Sequence, residues 1–242
     1  MHLLAISTST PRWSVFLHRD DGWSQSVTAD TGRGLGQSNT DPRASLTRMV
    51  WDLFAEANLQ PADLQRVVCD VGPGSFTGLR QGLALARALA WAHGIPTHAV
   101  GSLHAMALES CGESGQKLVA AIPARAHVDF VGVGTADDWK EQLLSADDAA
   151  AWWQQERPEV LAMAGADQGG ALAQLANAQG ARILARWPRA EVMGQWSLRQ
   201  TGNVASELVP RYLAVSEAEN KAGIAVPERT LVADDRMFLR DA

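Results

Sequence analysis

The nine residues Gly72-Pro73-Gly74-Ser75-Phe76-Thr77-Gly78-Leu79-Arg80 constrain this chain most, because three glycines and a proline separate an apolar strand from an alanine-rich helix. Upstream, Arg66-Val67-Val68-Cys69-Asp70-Val71 is β-branched and bounded by turn residues, the pattern of a short buried strand. Downstream, Leu79, Leu83, Ala86 and Ala90 recur at helical spacing over 79–93, and Leu89 widens the stripe. Gly94 is placed to stop that helix in a left-handed cap, with Pro96 behind it. Strand, glycine turn and helix together expose backbone N–H groups at the positive helix end, which suits an anion. The same glycines suit a turn in which two backbones approach closely.

Known phosphate fingerprints fit the segment poorly. A P-loop needs Lys-Ser or Lys-Thr after its last glycine, whereas Gly78 is followed by Leu79. The dinucleotide pattern needs its third glycine one residue earlier than Gly78. Arg80, in the first helical turn, is the only basic side chain. Gly72, Gly74, Ser75, Phe76, Thr77, Gly78 and Arg80 are therefore either a phosphate-binding loop or a structural one. Ser75 and Thr77 suit both, since a hydroxyl can meet a phosphate oxygen or cap a helix.

The rest of the chain alternates. Strands are expected at 3–6, 12–18 and 23–28, then a polar glycine-rich loop from 31 to 42. In helix 43–58, Leu46, Met49, Val50, Leu53, Phe54 and Ala57 hold the apolar stripe. Strand 66–71, the glycine loop, helix 79–93, strand 97–100 and a short helix begun by Ser102 complete one α/β half. The second half starts near Gly112–Gly115 and is weaker in pattern. Strands 117–122 and 127–134 flank Pro123-Ala124-Arg125, and Ser145 with Asp148 opens helix 146–156 as a capping-box-like pair. Strand 159–163, a helix near 168–178 and strand 182–185 follow, and a mixed, charged tail runs from 214 to 242.

Composition excludes several classes. A formal net charge of -6 argues against a chain that grips nucleic acid by itself. No apolar run approaches a membrane span, and the amino terminus reads as a first strand, not a leader. The two cysteines, Cys69 and Cys111, have no ligand spacing, which fits a reducing cytoplasm. No two of the six histidines have the i, i+4 spacing of a zinc pair, and no Gly-x-Ser-x-Gly elbow occurs. The doublets Asp20-Asp21, Asp137-Asp138, Asp147-Asp148 and Asp234-Asp235 fall in turns or helix starts, where carboxylates cap and solvate. Nine tryptophans are unusual. Trp13, Trp51, Trp91 and Trp196 lie in or beside periodic segments, where core or edge packing is the simplest reading. Trp152-Trp153 imply a wide buried face, or one exposed contact residue.

The segment Gly72–Arg80, with GLALARALAWAHGIP behind it, closely resembles the TsaB (YeaZ) family, partners of the TsaD enzyme in making threonylcarbamoyladenosine in tRNA. Leu4-Ala5-Ile6-Ser7-Thr8-Ser9-Thr10, Ala55-Glu56-Ala57-Asn58-Leu59, Gly101-Ser102-Leu103 and Pro210-Arg211-Tyr212-Leu213 support the resemblance, which is strong over 1–110 and faint afterwards. It implies the actin, sugar-kinase and heat-shock-chaperone ATPase fold (RNase H-like). That fold is α/β, with two related lobes around a cleft, here non-catalytic. The lobes would be 1–110 and a smaller, diverged 111–242 with its tail. Three positions depart from the family: Ser7 and Pro123 stand where Asp is usual, and Pro42-Arg43 replaces a common His-Ser. Without those acids a hard cation has no obvious oxygen ligands, so no metal and no cofactor is expected.

The resemblance implies a non-catalytic, cytoplasmic scaffold for a TsaD-like enzyme. A TsaE-like ATPase would be a third partner, tRNA would be met only through the assembly, and no membrane would be involved. The implied interface uses the first two helices, whose second faces carry Trp51, Ala55, Ala84, Ala88 and Trp91, the alanines permitting close approach. A wholly intramolecular role for those faces is the plainer alternative, and a homodimer through them is compatible with their small residues. The competing class is a phosphate-binding enzyme, a small kinase or ATPase using the Gly72–Gly78 loop.

Overall fold

The computed structural model describes residues 1–31, 45–110, 117–125, 127–135, 139–164, 171–200 and 205–211. Residues 32–42 of the expected 31–42 loop, with Pro42-Arg43, the first residues of the 43–58 helix, Cys111, Gly112–Gly115, Asp137-Asp138, Tyr212-Leu213 and the 214–242 tail lie outside those residues. Contacts divide the chain into two units.

The first unit is built on β1 (Leu3–Ser7), β2 (Arg12–His18), β3 (Ser24–Asp30), β4 (Arg66–Asp70) and β5 (Thr97–Val100). Their order is β3-β2-β1-β4-β5, with β1 antiparallel to β2 and parallel to β4. Helices α1 (Leu46–Ala57) and α2 (Phe76–His93) enclose one core with β1, β2 and β4. The six stripe residues of α1 named from the sequence are its buried residues, and those of α2 are buried too. Each fully buried Leu or Phe contributes about 1.5–3 kcal/mol. Both helices end as their sequences imply. Asn58 and Gly94 take left-handed conformations, and the N–H groups of Leu59 and Ile95 close on Phe54 and Ala90 carbonyls. α2 begins three residues before the expected position because Ser75 caps it, its Oγ accepting from Gly78 N at 3.2 Å.

Helix α3 (Ser102–Ser110) follows β5. The second unit contains β6 (Leu118–Arg125), β7 (Val128–Gly134), β8 (Trp139–Ser145), α4 (Ala146–Glu156), β9 (Val160–Met163), α5 (Ala171–Ala178) and β10 (Arg182–Ala185). The sheet order is β10-β9-β6-β7-β8, again two antiparallel strands on one side of the first strand and two parallel ones on the other. The two units thus repeat one topology that no sequence repeat betrays. β6 runs through Pro123 at its end, beside a register shift. Ser145 caps α4, accepting from Asp148 N. Trp153 is buried and Trp152 packs partly against the same cluster, so the wide buried face accounts for the pair.

Three features differ from the sequence reading. β8 was not expected, because Lys140, Glu141 and Gln142 break the apolar pattern; pairing with β7 and a Trp139 indole lying over Gly132 hold it. Helix α6 (Ala190–Arg199) was not expected either, since Gly194 interrupts a weak stripe. α6 and residues 187–211 pack with the first unit, not with the second half of the chain. The cause is local: Gly194 lies where a Cβ would sit 2.4 Å from the Phe16 ring, and Ala190 and Met193 join Leu3, Ala5 and Val68 in one cluster. Residues 205–211 line the free edge of β5, Ser206 exchanging hydrogen bonds with Thr97.

A polar chain fastens the end of α6. Arg66 Nη1 donates to Ser197 O at 2.6 Å and to Ser197 Oγ at 3.1 Å. Arg66 has no acceptor, so the Ser197 hydroxyl proton is directed to His98 Nδ1, 2.8 Å away. His98 is thereby held neutral, and its pKa falls to about 4 through burial first and the Arg66 charge second.

Two outcomes follow. Gly194→Ala drives a methyl into the Phe16 ring and lowers stability by about 1–3 kcal/mol in thermal unfolding. His98 binds protons more readily unfolded than folded, so its contribution is complete above about pH 6.5 and is lost toward pH 4, by about 3 kcal/mol at most. A His98→Gln chain should show a correspondingly flatter stability slope over that interval.

Candidate functional site

Helices α1 and α2 touch each other while their buried stripes face the sheet, which leaves their outer stripes side by side. Trp51 and Ala55 on α1, and Ala84, Ala88 and Trp91 on α2, are all exposed. Core packing of Trp51 and Trp91 is therefore corrected, since they are 48% and 90% exposed, whereas Trp13 is buried and Trp196, on α6, packs partly buried against the cluster of Leu3, Ala5 and Phe16. The reason is angular: both lie opposite the Leu-rich stripe of their own helix. A tryptophan this exposed leaves a large apolar area in water. Ala84 lines an open groove of about 480 Å³ with Trp13, Ser45, Leu46, Thr47, Gln81 and Leu85. Helix α2 carries Arg80, Arg87 and His93 and no acid.

The glycine loop is filled by the protein's own backbone. Ser75 N donates to Ser9 O at 2.6 Å, so the turn after β1 occupies the mouth of α2. A Cβ on Gly74 would lie 2.3 Å from Ser9 O, one on Gly78 2.1 Å from Thr8 O, and one on Gly82 2.2 Å from Thr8 Oγ1. Gly72, with φ +100, faces the Arg211 carbonyl, while its own carbonyl accepts from Ser102 N. Arg80 does not reach into the loop; its guanidinium stacks 3.9 Å above the Phe76 ring. Thr77 is exposed in the first turn of the helix. Of the two readings left open for these glycines, close backbone approach is the one this geometry supports.

Beneath the loop lies a polar node that sequence reasoning missed. Asp70, at the end of β4, is fully buried. Its carboxyl meets Ser7 Oγ at 2.9 Å, Ser9 N at 3.2 Å, Thr8 N at 3.3 Å and Ser102 Oγ at 3.4 Å. Burial pushes the carboxyl pKa up, against the pull of the surrounding hydrogen bonds. An acid closing a β-branched strand was the available signal, because such a strand is buried to its end. The neighbouring Cys69 thiol is likewise pushed up by burial and is unreactive there. Among the described residues no three His, Cys, Asp or Glu side chains gather as a metal site. Nor, among them, is any helix long and apolar enough to cross a membrane.

Residues 41–222 match the family model described as TsaD, tRNA N6-adenosine threonylcarbamoyltransferase. The tRNA threonylcarbamoyladenosine biosynthesis protein TsaB of Bacillus subtilis is 38% identical over 107 residues, 44% of each chain. A tRNA N6-adenosine threonylcarbamoyltransferase of Streptococcus pneumoniae is 34% identical over 106 residues, 43% of this chain and 32% of that protein. The matched stretch therefore spans less than half the length of these curated relatives. The solved structure of YeaZ from Pseudomonas aeruginosa superposes with a TM-score of 0.64 at 25% identity, covering 88% of this chain and 99% of that one.

The glycine contacts have a direct test. Gly78→Ala places a methyl against a main-chain oxygen that no rotamer change can move, and should cost about 1–3 kcal/mol or more in denaturant unfolding.

Proposed function

The chain belongs to the family of TsaD, tRNA N6-adenosine threonylcarbamoyltransferase, as a homologue of TsaB (YeaZ), and from that premise we propose that it is a non-catalytic subunit that docks a TsaD-like enzyme in threonylcarbamoyl modification of tRNA adenosine. The observation that carries this reading is the outer face of α1 and α2, where Trp51 and Trp91 stand exposed beside Ala55, Ala84 and Ala88. Alanines let a partner helix approach closely, and flanking tryptophans supply the large anchors that dominate interface energy.

The glycine loop supports the same reading from the other side. Its N–H groups and close approaches serve the turn after β1, so α2 is positioned rigidly instead of being left open for a phosphate. An acidic chain meets tRNA through its assembly, with a TsaE-like ATPase as a further member. The enzyme supplies the chemistry; this subunit supplies a shaped, preorganised surface.

Capture of the TsaD homologue encoded in the same genome tests the proposal. Ala84→Arg fills the groove between the helices and Ala88→Arg interrupts the alanine stripe; each should weaken capture at least tenfold, about 1.4 kcal/mol. Both positions are exposed, so folding stability should move by no more than about 0.5 kcal/mol. Undiminished capture by both folded variants would remove the helix face from the account.

A further inference from the structure

Ser7 has one hydroxyl proton and two acceptors. Its Oγ lies 2.9 Å from Asp70 Oδ2 and 2.9 Å from the Pro188 carbonyl oxygen. Ser7, Asp70 and Pro188 are all buried. If Asp70 were a carboxylate, the hydroxyl would satisfy only one neighbour and the other would be left facing an oxygen without a proton between them. A buried carbonyl so abandoned costs about 1–3 kcal/mol.

The remaining contacts of Asp70 point the same way. Ser9 N and Ser102 Oγ reach Oδ2 at 3.2 and 3.4 Å and Thr8 N reaches Oδ1 at 3.3 Å, all longer than the roughly 2.7–2.9 Å that charge-assisted hydrogen bonds adopt, so a protonated Oδ2 still accepts the long contact from Ser9 N. Among the described residues no cation hydrogen-bonds the carboxyl. The titratable and charged groups of the surrounding elements are Arg66 and Cys69 on β4, Arg80, Arg87 and His93 on α2, His98 on β5, His104 and Glu109 on α3, and Arg189, Glu191 and Arg199 at or on α6. Of these, Arg87 binds the Leu208 carbonyl, His98 binds Ser197, and Arg189 pairs with Glu109 and Glu191.

We propose that Asp70 is held as the neutral acid and donates from Oδ2 to Ser7 Oγ, which passes its own proton to the Pro188 carbonyl. The proton on Asp70 thus completes a two-bond relay from the end of β4, through the end of β1, to the segment that leads into α6. Ala190 N, donating to Ser14 Oγ at 2.8 Å, fastens the next turn of the same segment to β2. The relay is a proton-linked clasp: removing its proton withdraws the donor that lets Ser7 hold Pro188. An aspartate retained as an acid when folded and ionised above about pH 4 when unfolded contributes stability that is complete below that pH. The contribution is lost as pH rises toward the folded-state pKa.

Asp70→Asn removes the titrating proton in the full chain: the amide keeps a donor toward Ser7 and an acceptor toward Thr8, and turns an N–H toward Ser9 N, a cost that does not vary with pH. The expected result is a folded variant whose melting temperature relative to the parent rises from about pH 4 upward to a plateau, on top of a constant offset from the Ser9 contact. In aspartate-carbon-labelled protein, one Cγ resonance should sit at the carboxylic-acid position at neutral pH and vanish in Asp70→Asn. Ser7→Ala, which breaks both links, should melt lower than either. A carboxylate resonance for Asp70 at neutral pH, or a melting-temperature difference between Asp70→Asn and the parent that does not change above about pH 4, overturns the proposal.

Discussion

The contact on which the rest of the first unit depends is the approach of the turn Ser7–Thr10 to the start of α2. It is possible only because positions 74, 78 and 82 lack a Cβ, each of which would otherwise meet Ser9 or Thr8 within 2.3 Å. Close approach fixes α2 against β1 and β4, and α1 is then set beside it over the same core. Everything the outer face of the helix pair presents, Trp51 and Trp91 included, inherits its position from those three missing side chains.

That contact also explains why a motif with the outline of a phosphate cradle serves packing. A helix N-terminus attracts whatever acceptor is placed before it. Here Ser75 Oγ and the Ser9 carbonyl, which belong to the chain itself, take that place. Uncharged hydroxyls and amides surround Asp70 underneath, so the node joins elements together without gathering charge. A rigid platform and an exposed aromatic face are what a docking subunit requires.

Legibility from sequence tracked locality. The stripes of α1 and α2, the Gly94 stop and the Ser145 cap follow from spacing and turn chemistry, and all stand in the structure. β8 and α6 do not, because each is held by a partner far along the chain: β7 with Gly132 under Trp139, and Phe16 under Gly194. The duplicated strand order is invisible for the same reason, residing in pairing and not in residue type. At the site, the exposed face of the helices was legible as a second stripe, and the loop was legible as two alternatives that only the position of Ser9 separates. The Asp70 node was not, since nothing local relates Ser7 to Pro188.

The central claim is that α1 and α2 form the surface this chain offers to a TsaD-like enzyme. Backbone hydrogen–deuterium exchange of the full chain, alone and with that enzyme, measures it most directly. The account predicts added protection concentrated in residues 46–57 and 76–93, with the sheet strands unchanged. Protection elsewhere, with both helices exchanging as in the free chain, would contradict it.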